Sequence, residues 1–227
     1  MSAFWGGVRT SLPVVLGYLG IGLAAGVVER AAGLSYAEIL LLSTVLYAGS
    51  AQFVLTSMLA LGAAPSAIVP TVFLVNLRHL LLSAALAPAL RGVPAWKNAL
   101  LGVQLTDETF VVASGQKVLR PAWMAGLNLS AWTAWAAANV AGAALSGLAG
   151  DTRVLGFALP AMFAALLVLQ LRIHRRFRTA LAVAAVSAAA GVGAQLAFAG
   201  PWAVVAATVL GASLGLLLQS WTSGRNS

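Results

Sequence analysis

Eight apolar runs separated by short loops fill this chain almost from end to end: about 12 to 28, 37 to 61, 66 to 90, 98 to 114, 122 to 148, 154 to 171, 179 to 198 and 201 to 219. Most approach the roughly 20 residues that an α-helix needs to cross the hydrocarbon core of a bilayer. A soluble domain of 227 residues could not hide that much apolar surface, since 61% of the residues are hydrophobic and only 8% are charged. The pattern predicts an all-α integral membrane protein, a polytopic helical bundle of about 6 to 8 membrane segments. No stretch is left over for a separate globular unit, so residues 1–227 read as one transmembrane domain.

The formal charge of +8 would suit a nucleic-acid partner if Lys and Arg formed a stripe, but they are scattered over short loops. The positive-inside rule accounts for them and leaves no reason to expect nucleic acid. There are no cysteines and only two distant histidines, so neither a metal site nor a cofactor is expected. The first run follows a basic end containing Arg9 and resembles a signal peptide, but lacks a small-residue cleavage site and is kept in the mature chain.

Segments one and four are short: about 17 residues at a 1.5 Å rise make roughly 25 Å of helix. Two topologies can be compared by charge. If all eight segments cross with the N-terminus inside, Arg30, Arg91, Lys97 and Arg153 lie outside, opposite Arg9, Lys117, Arg120, the Arg172 to Arg178 cluster and Arg225. If segments one and four both turn back, only Arg153 stays outside. The second count favours segments one and four as discontinuous or re-entrant, as in transporter folds built from inverted repeats. Eight tilted helices in a locally thinned bilayer are the alternative. A boundary between halves 1–116 and 121–227 falls at Lys117 to Pro121.

Charged and polar groups at hydrocarbon depth carry the functional signal. Asn76, Arg78 and His79 are embedded in the third run, where an arginine costs roughly 2.5–3.5 kcal/mol on insertion scales and must face a partner or a wet cavity. Asn76 and His79, three apart, share a helix face, whereas Arg78 and His79 point about 100° apart. Asp107 and Glu108 in segment four are the natural partners of Arg78, and either carboxyl is also a candidate proton carrier. Arg78 could instead be a buried tie between helices, with the acids merely neutralising it. The run Tyr47 to Phe53 mixes small residues with Gln52, which can hydrogen-bond a ligand or a neighbouring helix.

Ser35 and Glu38 form a capping box that starts segment two. Gly17, Gly20, Gly22 and Gly26 permit either unwinding of segment one or close packing through a GxxxG pair. Asn128, Asn139, Gln104, Gln170 and Gln195 read as interhelical hydrogen-bonding groups, and Arg172 to Arg178 as an inside anchor touching anionic lipid.

The blocks AGSAQF at 48–53, NLRH at 76–79, TDETF at 106–110 and FALPAMF at 157–163 resemble, in order and spacing, the AzlC family, the large subunit of branched-chain amino acid exporters. The resemblance covers nearly the whole chain. It implies a secondary transporter in a bacterial-type inner membrane that exports valine, leucine, isoleucine and their analogues together with a small AzlD-type membrane subunit. Carried over by position, the motif residues are Gln52, Asn76, Arg78, His79, Asp107 and Glu108. Gln52, Asn76, Arg78, Asp107 and Glu108 would bind substrate, and His79, Asp107 and Glu108 are candidates for proton coupling. One departure is Gly156, where many relatives are expected to carry an acid before FAL.

A passive channel or a permease for another small solute is the competing reading, but a channel needs a continuous polar lining and the polar residues here cluster. An intramembrane hydrolase using Ser50 and His79 would need a nucleophile elbow, which the sequence lacks. There is no GxxxxGK[ST] phosphate loop either, so the chain is expected to be neither an enzyme nor an ATP-driven pump on its own.

Overall fold

The computed structural model describes residues 2–148 and scattered helical positions between 181 and 213. Segment six, half of segment seven, nearly all of segment eight, the Arg172 to Arg178 cluster, Gly156, Gln170 and Gln195 lie outside the described residues. All regular structure among the described residues is helical. The chain divides into two compact units, one of Met1–Ala64 with Val75–Leu159 and one of Pro65–Leu74 with Pro160–Ser227. Every side chain discussed below belongs to the first.

Two short helices and one long one open the chain: α1 (Ala3–Thr10), α2 (Leu12–Ala31) and α3 (Tyr36–Leu41). Helical hydrogen bonds run through the hinge, from Ser11 N–H to Gly7 O and from Val15 N–H to Ser11 O, while Pro13 sits in the first turn of α2, where its missing N–H costs nothing. The expected capping box starts α3: Glu38 N–H donates to Ser35 Oγ, and the Ser35 N–H donates back to Glu38 Oε2 at 2.7 Å. Beyond Leu41 the helix widens into a π-helical turn over Leu42–Leu46 and breaks at Tyr47, in the left-handed region at φ 41°, and extended Ala48. α4 (Gly49–Ala60) resumes the path. The indole of Trp132 donates to Thr44 O at 3.0 Å, satisfying a carbonyl in the irregular stretch.

α5 (Pro65–Leu86) continues as a tighter turn to Leu90. Segment four is two helices, α6 (Ala95–Val103) and α7 (Asp107–Ser114), interrupted at Thr106, whose backbone is extended. Asn128 Nδ2 donates to Leu101 O at 3.0 Å near the end of α6, in the interhelical role expected of it. α8 (Pro121–Leu145) follows the break expected at Lys117 to Pro121 and supplies the central wall. Two described helices, Leu12–Ala31 and Pro65–Leu90, are long and apolar enough to cross a membrane by length and composition.

Glycines set the spacing between α1–α2 and α8. A Cβ on Gly7 would strike Trp123 O, and one on Gly126 would strike Phe4 O; one on Gly26 would strike Asn139 O, and one on Gly142 would strike Leu23 O. These reciprocal contacts press backbone against backbone, the arrangement small residues allow between apolar helices. Partner numbers rise along both chains, from 123 opposite Gly7 to 139 opposite Gly26, so the helices run parallel.

Two expectations are corrected here. Segment one is no half-helix: α2 is continuous over 20 residues, about 30 Å, and runs beside α8 along its length. Gly22 and Gly26 serve close packing rather than unwinding, and the discontinuity falls in segment two, as well as in segment four where it was expected.

The seam makes a prediction. Gly26→Ala should lower the unfolding temperature of the detergent-solubilised protein, reflecting a cost of about 1–3 kcal/mol for overpacking. Gly17→Ala, with nothing within 4 Å of its added carbon, should be neutral or stabilise by up to about 1 kcal/mol. Equal losses in both variants would show that the seam is not a close backbone contact.

Candidate functional site

Both broken helices resume beside one guanidinium. α4 restarts at Gly49, and Ser50 in its first turn accepts a hydrogen bond from Arg78 Nη2. α7 restarts at Asp107, whose Oδ2 lies 2.7 Å from Arg78 Nη1. The local sequence dictates the second break. Thr106 Oγ1 accepts from Thr109 N–H, and Thr109 Oγ1 accepts from Thr106 N–H at 2.9 Å, so TDET closes a capping box that fixes Asp107 and Glu108 in the first turn. Carboxylates suit that place, because the N-terminus of a helix carries roughly half a positive charge.

The ion pair is neither in bulk water nor sealed: the Arg78 and Asp107 side chains are 30% and 29% exposed. Asn76 Oδ1, Arg78 Nε and His79 Nε2, all on the same stretch of α5, are buried atoms without a hydrogen-bond partner. An unpaired buried polar atom costs about 1–3 kcal/mol, so three near one ion pair mark a place where polar company is missing. Ser50 is engaged by Arg78, and no hydrogen bond joins it to His79.

Glu108 is held from the other side. The Tyr18 hydroxyl lies 2.6 Å from Thr106 Oγ1 and 2.8 Å from Glu108 Oε2, which ties α2 to the start of α7. The Tyr18 ring meets Trp135 of α8 edge to face, with centroids 5.1 Å apart.

Behind this half-open group lies a dry one centred on Gln52, which is 0% exposed. Its Oε1 accepts from Trp135 Nε1 at 2.7 Å, and its Nε2 faces Glu29 Oε1 at 3.0 Å and, at 3.4 Å each, Ser43 Oγ and Asn139 Oδ1. The orientation of the amide is fixed, because an indole N–H can only donate and a carbonyl oxygen must face it. Gln52 was expected to bind substrate; in this structure its amide is buried and joins α2, α4, α8 and the π-helical turn instead. Asn139 is an interhelical tie, as expected, and also donates to Trp135 O at 2.8 Å.

Glu29, Tyr18 and Trp135 were not singled out from the sequence. Glu29 sits one residue beyond the apolar run that ended at 28, and it is 1% exposed. One of only five acids in the chain, it stands next to Arg30, and this would have been the signal to extend the helix across it.

Residues 13–149 match the family model described as AzlC protein, a span that holds every group in this site. The chain belongs to the AzlC family. This AzlC protein is 32% identical over 231 residues to the inner membrane protein YgaZ of Escherichia coli, covering 97% of this chain and 92% of that one. It is also 32% identical over 191 residues to an uncharacterized membrane protein of Archaeoglobus fulgidus, covering 81% and 82% of the two chains. An uncharacterized membrane protein of Helicobacter pylori is 26% identical over 185 residues, 79% of this chain and 81% of the relative. No solved structure matches. The AzlC chain is a helical membrane protein, and the polar groups above are the hydrophilic interior of its first unit.

Trp135 offers a local test in the AzlC fold. Trp135→Phe keeps most of the ring but removes the donor to Gln52 Oε1, and leaving that acceptor bare should cost about 1–3 kcal/mol. Thermal unfolding of the purified variant checks it, and an unchanged midpoint would mean that water takes the place of the indole N–H.

Proposed function

We propose that this chain is the large subunit of a two-component secondary exporter of branched-chain amino acids, a multi-pass protein of a bacterial-type inner membrane with about 6 to 8 segments. The reading rests on family membership and on the motif resemblance; the structural observation that carries it is the partly exposed Arg78 side chain, braced by Asp107 and Ser50 where two broken helices resume. The guanidinium and the two helix N-termini beside it offer donors to the carboxylate of an amino acid. Asp107, and Glu108 behind it, suit the ammonium, and apolar helix surface takes the branched side chain. Transporter sites are commonly built in this way from discontinuous helices.

The chain acts as a transporter and not as an enzyme, and a small AzlD-type subunit completes it. The test is flux of labelled leucine, valine, isoleucine and lysine into inverted membrane vesicles containing both subunits. Saturable uptake of the three branched substrates, with lysine excluded, is the expected result. Unsaturable flux of all four would favour a passive channel and overturn the proposal.

A further inference from the structure

We infer that Glu29 is a proton-binding site, separate from the Arg78–Asp107 pair, that loads and unloads one proton in each transport cycle. Its carboxyl is 1% exposed; Oε1 accepts from Gln52, and Oε2 is buried without any partner. A carboxylate buried away from water needs a cation, a full set of donors or a proton.

No cation faces it among the described residues. Arg30, next in the chain, donates to Leu34 O at 2.9 Å and lies 5.0 Å over the Tyr36 ring. Arg9 belongs to α1, at the opposite end of α2. Of the elements packed against α2, α4, α8 and the turns Leu42–Leu46 and Ser146–Leu148 carry no Asp, Glu, His, Lys, Arg or Tyr; Tyr47, at the break between the first of these turns and α4, packs with Tyr18 and Ala25, and its buried hydroxyl bonds neither Glu29 nor any other group. α3 carries Tyr36, under Arg30, and Glu38, held by Ser35. Tyr18, on the same helix as Glu29, bonds Thr106 and Glu108.

A metal cation does not fit, because the space among Glu29 Oε1, Ser43 Oγ and Asn139 Oδ1 is filled by the Gln52 amide nitrogen, a donor. A proton requires only the bare Oε2. It comes from water on one side of the membrane and leaves to water on the other. An O–H bond forms at Oε2 and breaks again, and nothing is oxidised.

The route from this carboxyl to the solute is short and covalent in its middle. Gln52 and Ser50 lie two residues apart in the first turn of α4, one bonded to Glu29 and the other to Arg78. Loading Glu29 therefore changes what holds Gln52, and through α4 the brace on Arg78. The inference rests on the transport reading for its cycle, but not for its proton.

The experiment uses both subunits in proteoliposomes, wild type and Glu29→Gln, which keeps a hydrogen bond to Gln52 and so preserves packing. Infrared difference spectra between acid and alkaline buffer should show a protonated-carboxyl band in the wild type that is lost in Glu29→Gln and kept in Asp107→Asn. An identical band in Glu29→Gln would overturn the proton site. This reading holds even if the wild type moves no leucine, in which case the proposed function fails and the proton site stands or falls on the band. In transport, Glu29→Gln should lose uptake driven by a pH gradient and retain leucine–leucine exchange. Wild-type gradient-driven uptake in the variant, or loss of exchange from a protein that still folds, would overturn the coupling role.

Discussion

Cells carrying Arg78→Gln should export no measurable leucine while holding normal amounts of the protein in their membranes. The glutamine removes the charge from the half-exposed position between Ser50 and Asp107 and leaves the remaining helix contacts of α5 intact. A truncated partner of a fully buried charge pair costs about 2–5 kcal/mol in binding, so at this partly exposed pair the loss falls at the low end, about 2 kcal/mol or roughly 30-fold in affinity at 1.4 kcal/mol per factor of ten. Arg78→Lys should fall between the two, since an ammonium keeps the charge and cannot brace Ser50 and Asp107 with a planar fork. Intracellular leucine and the amount of membrane-inserted protein are the paired measurements. Full export by Arg78→Gln would remove the guanidinium from the mechanism.

The second large effect is on stability. Gln52→Leu, close in volume, should unfold the first unit or leave it expressed at a small fraction of the normal level. It strips donors and acceptors from Glu29, Trp135, Asn139 and Ser43 together, all in contact with a side chain that is 0% exposed. Each buried group left bare costs about 1–3 kcal/mol, and a domain has only about 5–15 kcal/mol of net stability to lose. Gln52→Glu places an acid beside Glu29 and should be as harmful. Yield and unfolding temperature of the two variants decide this; a stable Gln52→Leu protein with impaired transport would return Gln52 to the solute.

The apolar runs made the helices legible, because the roughly 20-residue span needed for a bilayer leaves few other ways to read them. The capping box at Ser35 and Glu38 was readable for the same kind of reason, being local and chemical. The interruption inside segment two was not. Tyr47 carries no glycine signal at its positive φ, and the break depends on Trp132 and Trp135, about ninety residues away, which support the resumed path. Segment one left two readings open, unwinding or close packing through the Gly22–Gly26 pair, and only the partner helix pressed against both glycines decides for packing.

In the site, burial arguments picked out Arg78 and Asp107, and the two are ion-paired. For Gln52 they left a ligand and a neighbouring helix both open, the substrate role coming from the resemblance alone, and its side chain faces inward; Glu29, at the end of an apolar run, was passed over. A carboxyl's neighbours come from α4 and α8 and cannot be read from α2 alone. Thr106 is intermediate: TDET is a helix start as well as a family block, and reading it as a start would have located the break between α6 and α7.

In the proposed mechanism the Arg78–Asp107 pair faces a solute and is not merely a tie between helices. It is tested most directly by neutralising both partners at once, Arg78→Gln with Asp107→Asn, and measuring leucine flux in proteoliposomes beside each single variant. If the pair serves a zwitterion, the double variant folds and transports nothing. Recovery of flux in the double variant, after loss in both single ones, would show that the two charges exist only to cancel each other.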